Sequence, residues 1–120
     1  MNQPSVIEFV YLAVLFCMLL TGFWVFDRLV RLEYASHREQ WEADGRPHGF
    51  FWVPRECKGS LFVRFGCSQA MNRCSMAWLF KTPDWMRQNE KALRWVWWMR
   101  VSWLIWNVGV LGWLFLFILA

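Results

Sequence analysis

Two uncharged apolar runs bracket a polar middle. The first, FVYLAVLFCMLLTGFWVF, occupies Phe9 to Phe26; the second, Val101 to Ala120, holds no charge over 20 positions and follows directly on Arg94, Trp95, Trp97, Trp98 and Arg100. At about 1.5 Å of rise per residue such a run covers roughly 30 Å as a helix, the thickness of a bilayer's hydrocarbon core. In lipid every unpaired backbone group costs several kcal/mol, so a lone run of this length is predicted to be helical. The pattern therefore predicts an all-α membrane protein: two antiparallel transmembrane helices, residues 9–26 and 101–120, extended into a cytoplasmic helical lobe over residues 27–100.

Within the middle, Val30, Tyr34, His37 and Trp41 recur at helical spacing, so the first helix is expected to continue to Gly45, a left-handed C-terminal cap, with Pro47 preventing its resumption. Residues 46–60 are punctuated by Pro and Gly and show no helical period. Phe50, Phe51 and Trp52 fall there, an aromatic cluster expected to dip into headgroups, to pack on the neighbouring helices, or to meet a partner. Leu61 to Phe80 reads as an amphipathic helix with Val63, Cys67, Ala70, Met71, Cys74, Ala77 and Trp78 on one stripe. It is expected to lie on the inner leaflet or against the juxtamembrane helices. Thr82-Pro83-Asp84 is a helix start, with Thr82 as N-cap, and the absence of Gly or Pro until Gly109 predicts one continuous helix from Pro83 to Ala120.

Charge sets the expected orientation. All 13 Lys and Arg lie between Arg28 and Arg100. By the positive-inside rule the middle is expected in the cytoplasm, with both ends outside; in a bacterium that places both termini in the periplasm. Trp24, Trp95, Trp97, Trp98, Arg94 and Arg100 are the expected membrane-interface residues, with Arg100 snorkelling to the surface. The net charge of +4 fits topology and anionic headgroups, and no nucleic-acid-binding module accompanies it. The tail before the first run has an acid, no base and no small-residue cleavage site, so that run is expected to be a retained anchor. With Ala120 ending the second run, nothing is expected beyond the outer surface there.

Little points to catalysis. Cys57, Cys67 and Cys74 lie in the middle region and Cys17 in the first run; a cytoplasmic loop predicts reduced thiols, and the odd count argues against a disulfide framework. His48 with those three thiols has the wrong spacing for a structural zinc site, and neither His37 nor His48 lies where a haem ligand in a span would be. Glu39, Glu42 and Asp44 sit between Arg38 and Arg46 as a solvated helix end. No nucleophile elbow, phosphate-binding loop or paired-carboxylate motif is present, and no cofactor, metal or enzymatic activity is expected. Ser102, Asn107, Gly109 and Gly112 would let helices approach closely, either within the chain, the reading favoured, or between copies in a homo-oligomer.

The segments W-E-A-D-G-R-P-H-G-F-F, Trp41 to Phe51, and D-W-M-R-Q-N-E-K-A-L-R, Asp84 to Arg94, in this two-span layout, resemble universal stress protein B and related small bacterial inner-membrane proteins. The resemblance implies an inner-membrane protein tied to stress tolerance and without known catalytic residues. The three loop cysteines and the high Trp content depart from that family. The expected function is accordingly a non-enzymatic accessory or stress-associated protein acting through lipid or membrane-protein contacts. The competing readings are a holin-like pore, which needs a polar face along a span, and the anchor subunit of a redox or transport complex.

Overall fold

Both apolar runs are helical in the computed structural model, which describes residues 5–119. The first four residues of the N-terminal tail, and Ala120 at the end of the second run, lie outside the described residues. The elements are α1 (Val6–Ser36), α2 (Arg38–Ala43), a 3-10 turn (Arg55–Cys57), α3 (Leu61–Phe80), α4 (Asp84–Arg87) and α5 (Glu90–Trp113), which runs on into a π-helical turn (Leu114–Leu119). No strand occurs among the described residues. α1, and α5 together with its π-helical end, are both long and apolar enough to cross a membrane; only 17% and 6% of their most apolar stretches are buried.

These two helices form the main contact of the chain. Gly22 sits against Ser102, and Leu15 lies directly over Gly109, where a Cβ would overlap its side chain. The Tyr11 hydroxyl donates to the Gly109 carbonyl oxygen at 2.7 Å, and Trp113 Nε1 donates to Glu8 Oε1 at 3.0 Å. Gly112 lies beside the Tyr11 hydroxyl. The small residues thus bring the helices close enough for a hydrogen bond from a side chain of one to the backbone of the other.

The rest of the chain packs against the end of α1. A single buried cluster joins Phe26, Leu29 and Val30 of α1 to Trp41, Cys67, Cys74, Trp78, Trp85, Met86 and Val96. Of the stripe expected on α3, Cys67, Ala70, Cys74 and Trp78 are buried, whereas Val63 and Ala77 are exposed.

Two expected helices are broken. α1 stops at Ser36, because His37 adopts φ −136° and ψ 54°, and α2 starts afresh. In an unbroken helix Tyr34 and Trp41 would be about 10 Å apart along the axis. The break brings their rings to 4.8 Å, buries Trp41 fully, and lets Trp41 Nε1 donate to the Pro47 carbonyl oxygen at 2.9 Å. α2 then ends as the sequence predicts at Gly45, φ 94°, with Gly45 N–H donating to Glu42 O and Arg46 N–H to Trp41 O, the paired bonds of a Schellman motif.

The second break falls within the helix expected from Pro83 to Ala120. α4 ends at Arg87, and Asn89 starts α5 by accepting the amides of Lys91 and Ala92 at 3.1 and 3.3 Å. Asn is a strong N-cap, so its side chain competes with continuation of the helix. Nor is Thr82 the cap: Pro83 precedes α4, and Thr82 Oγ1 instead accepts from Arg100 Nη2 at 2.9 Å.

The cysteine expectation is also corrected. Cys57 and Cys67 form a disulfide, tying the 3-10 turn to α3 across a sequence separation of 10. The odd count leaves Cys74 as the free, buried thiol of the three.

Candidate functional site

Where α1, α3 and α5 meet, an aromatic segment is held in place by one buried carboxylate. Asp27 is the residue immediately after the first apolar run, and it is only 5% exposed. Its oxygens accept the consecutive amides of Phe50, Phe51 and Trp52 at 2.6, 2.7 and 3.0 Å. Charge-assisted bonds of this kind are about twice as strong as neutral ones. They fix Phe50 in a stack on Phe23, ring centroids 4.2 Å apart, and with its edge to Phe26 at 5.4 Å. Trp52 turns to Tyr34 at 5.2 Å, and Phe51 stays 63% exposed. Of the three residues read as a partner surface, Phe51 faces outward, Phe50 stacks on Phe23 yet keeps 37% of its surface exposed, and Trp52 packs largely within the chain.

His48 closes the same corner. Its Nδ1 lies 2.6 Å from the Gly49 carbonyl oxygen and its Nε2 2.9 Å from Ser68 Oγ. A carbonyl only accepts, so Nδ1 carries a proton and donates to it, while Nε2 shares a hydrogen bond with the Ser68 hydroxyl.

Beside Phe50 opens a groove of about 280 Å³, walled by Met18, Gly22 and Phe23 of α1, Ser75, Met76 and Leu79 of α3, and Met99, Ser102, Trp103, Trp106 and Asn107 of α5. Its size is near the low end for ligand pockets, roughly 300 Å³. Ser102 lies on its inner wall, only 3% exposed. Asn107 Nδ2 donates to its own helix at Trp103 O, 2.8 Å away. Of the four small or polar residues singled out on the second run, Ser102, Gly109 and Gly112 face α1, and Asn107 turns to the groove.

A second buried carboxyl went unread in the sequence. Glu33 is fully buried, and neither of its oxygens meets a hydrogen-bond donor; Asp44 Oδ2 is buried and equally unpartnered. Burial, followed by the adjacent Asp44 carboxyl, pushes Glu33 up to about 10. At neutral pH Glu33 is therefore the protonated acid of the pair, able to donate from one of its oxygens to Asp44 Oδ2 and so to pair two of these three orphaned oxygens. Asp44 thus only partly belongs to the solvated acidic end: its Oδ2 is buried, whereas its Oδ1 accepts from Gln40 Nε2 at 3.0 Å and its carbonyl oxygen from Arg73 Nη2 at 3.3 Å in exposed bonds. Burial, with Asp44 and Glu33 adding to it, also raises the Cys74 thiol to about 12. A thiol so placed is inert as a nucleophile near neutrality.

The tryptophan collar divides. Trp24 meets Trp95 edge-on at 5.4 Å, and the Arg28 guanidinium lies 4.8 Å over the Trp24 ring. Trp97 and Trp98 project outward, 56% and 52% exposed, and Arg94 is exposed beside Trp98. Arg100 does not snorkel outward. Its Nε and Nη2 donate to the Trp78 carbonyl oxygen at 3.1 and 2.9 Å, satisfying an unpaired carbonyl at the end of α3 and placing a cation at the negative pole of that helix.

Among the described residues, one phenol–carboxylate pair lies towards solvent. The Tyr34 hydroxyl donates to Glu56 at 2.8 Å; that bond raises the phenol, and Glu56 is lowered by its own backbone amide first and by Tyr34 next. The groove itself holds no acid, base or thiol among its lining residues. What this arrangement offers chemically is an apolar binding surface with the Asn107 amide and the Ser75 and Ser102 hydroxyls among its lining. No protein-family model, curated protein or solved structure matches the chain.

Proposed function

We propose that the chain is a small, non-enzymatic protein of the bacterial inner membrane whose α1 and α5 cross the bilayer as an antiparallel pair. In this reading the connecting region is a cytoplasmic lobe that binds a second membrane protein through α3. One observation carries it: the face of α3 opposite its buried stripe. Leu61, Phe62, Phe65, Met76 and Phe80 are each more than half exposed there. Gln69 and Asn72 are exposed between them. A contiguous apolar face of this kind is a liability in water. Lipid would cover the apolar residues alone, whereas a helix of another protein supplies apolar contact and hydrogen-bond partners for the two amides together.

Residence in the bilayer is supported by the exposure of α1 and α5, since a helix of equal hydropathy in a soluble protein would be mostly covered. The orientation rests on the confinement of all 13 bases to the region between the runs. The Cys57–Cys67 bond weighs the other way, because disulfides persist in oxidising compartments. The charge bias acts at both spans together, so we follow it, and the pair is then a dithiol wherever the compartment reduces it. A pore has less to draw on, with Ser102 covered by Gly22 and the Asn107 amide bound to its own helix. The stress association implied by the resemblance to universal stress protein B is part of this proposal as its biological setting.

A photoreactive residue at Phe65 or Met76 is expected to crosslink to a protein of discrete mass, and one at Phe16, on the exposed side of α1, to lipid. Lipid adducts alone at all three positions would sink the partner reading; a product of twice the chain mass would identify the partner as a second copy. Orientation is tested with Lys58→Cys in a chain whose other cysteines are serine. Labelling by an impermeant maleimide is expected only after permeabilisation, and labelling in intact cells reverses the topology.

A further inference from the structure

We propose that a notch at the start of α5 binds the phosphate headgroup of an anionic phospholipid; this rests on the membrane reading above but not on the α3 partner. The notch measures about 190 Å³ and is lined by Lys91, Arg94, Trp95 and Trp98. Spacings of three, four and seven residues put these side chains on one face of the helix. Trp95 joins the notch to Trp24, ring centroids 5.4 Å apart, and the Arg28 guanidinium covers Trp24 at 4.8 Å. Arg28, Lys91 and Arg94 therefore stand around a group of indoles contributed by both apolar helices.

No acid among the described residues neutralises these bases. The ion pairs among the described residues are Arg38–Glu56, Arg46–Glu42 and Arg87–Asp84, and none involves the notch. Asp27, next to Arg28 in sequence, faces the other way, engaged by the amides of Phe50 to Trp52. Glu90, next to Lys91, makes no ion pair with it or with Arg94. Unneutralised bases gathered at one place create a positive potential that an anion relieves. Arg offers a fork to two phosphate oxygens and Lys a mobile point charge.

Position and surroundings select the lipid over a soluble phosphate. Trp95 lies six residues before Val101, so the notch is roughly 9 Å below the start of the uncharged run, at the depth of the headgroups. Indoles favour that layer because one edge is polar and the rest apolar. A free phosphate would leave their apolar faces uncovered. A zwitterionic headgroup brings a cation, for which the notch offers no acid, and the Trp24 face is already covered by Arg28.

The test is native mass spectrometry of the full chain in mild detergent with added phosphatidylglycerol, phosphatidylcholine or inorganic phosphate. Phosphatidylglycerol is expected to bind in preference to phosphatidylcholine. The double variant Lys91→Gln/Arg94→Gln, at two exposed positions, is expected to weaken phosphatidylglycerol binding about thirty-fold. A second double variant, Arg64→Gln/Lys81→Gln, removes the same charge elsewhere and is expected to bind as the parent does. Equal binding of the two lipids, or equal loss in the two double variants, overturns the site. Full displacement by millimolar inorganic phosphate overturns the lipid as its source. Carbonate washing separates the underlying reading: release of the chain from membranes refutes bilayer residence, while retention with no lipid preference refutes the notch alone.

Discussion

Replacing Glu33 with glutamine tests whether a neutral carboxylic acid is buried beside Asp44. In the folded chain Glu33 is raised from 4.5 to about 10, so between those values the native state holds a proton that the unfolded chain has lost. The native state then binds one proton more than the unfolded state, and stability must fall as pH rises. The contribution is complete below about pH 4.5 and is lost progressively up to about pH 10. One proton corresponds to about 1.4 kcal/mol per pH unit, hence about 3 kcal/mol between roughly pH 6 and pH 8. The glutamine side chain is uncharged throughout and its amide can still donate to Asp44 Oδ2, so the variant's stability should lose this slope. Thermal unfolding in mild detergent, followed by tryptophan fluorescence and extrapolated to zero scan rate, reads the difference. At about 4 °C per kcal/mol, Tm of the parent should drop about 10 °C relative to Glu33→Gln across that interval, with the two converging in acid. Parallel Tm curves for parent and variant would show that Glu33 is ionised in the fold, and the reasoning fails.

Other substitutions probe the remaining contacts. Asp27→Ala removes the acceptor of three amides, so it should cost about 3 kcal/mol and raise hydrogen exchange at Phe50, Phe51 and Trp52 well above that of α3; unchanged exchange in that segment would count against its anchoring role. Cys67→Ser opens a loop closed across 10 residues, and denaturant unfolding should show a loss of about 3 kcal/mol, matched by treating the parent with reductant. If reductant leaves the parent's midpoint unmoved, the two thiols are not paired. Gly109→Leu forces the second apolar helix away from Leu15 and should lower stability by about 1–3 kcal/mol, while Gly66→Leu, at a position open to solvent, should not.

The candidate site was partly legible from the chain. Ser102, Gly109 and Gly112 stood out because small or polar residues are conspicuous in an apolar run, and Phe50 to Trp52 because aromatics are conspicuous in a loop. Asp27 and Glu33 did not, since a carboxylate in a charged stretch looks the same in sequence whether it faces water or a buried cluster. Asp27 follows the first run directly and precedes Arg28. Its position at a run's end was the available signal, but its partners lie more than 20 residues away. The Asn89 cap went unread, although Asn-Glu before an apolar period is a local start signal.

What the sequence by itself determined are the features whose causes lie within a turn or two of chain: two uncharged helical runs, the cap at Gly45, and the buried stripe of α3. The tertiary structure decided which residues meet across the fold. It broke the first helix at His37, paired Cys57 with Cys67, drew Arg100 onto the end of α3, and enclosed Glu33 with Asp44. Backbone propensity and hydrophobic period are local and additive, so they can be read in order along the chain. Burial of a charge or a thiol depends on which elements close over it, and that is a property of the packed whole.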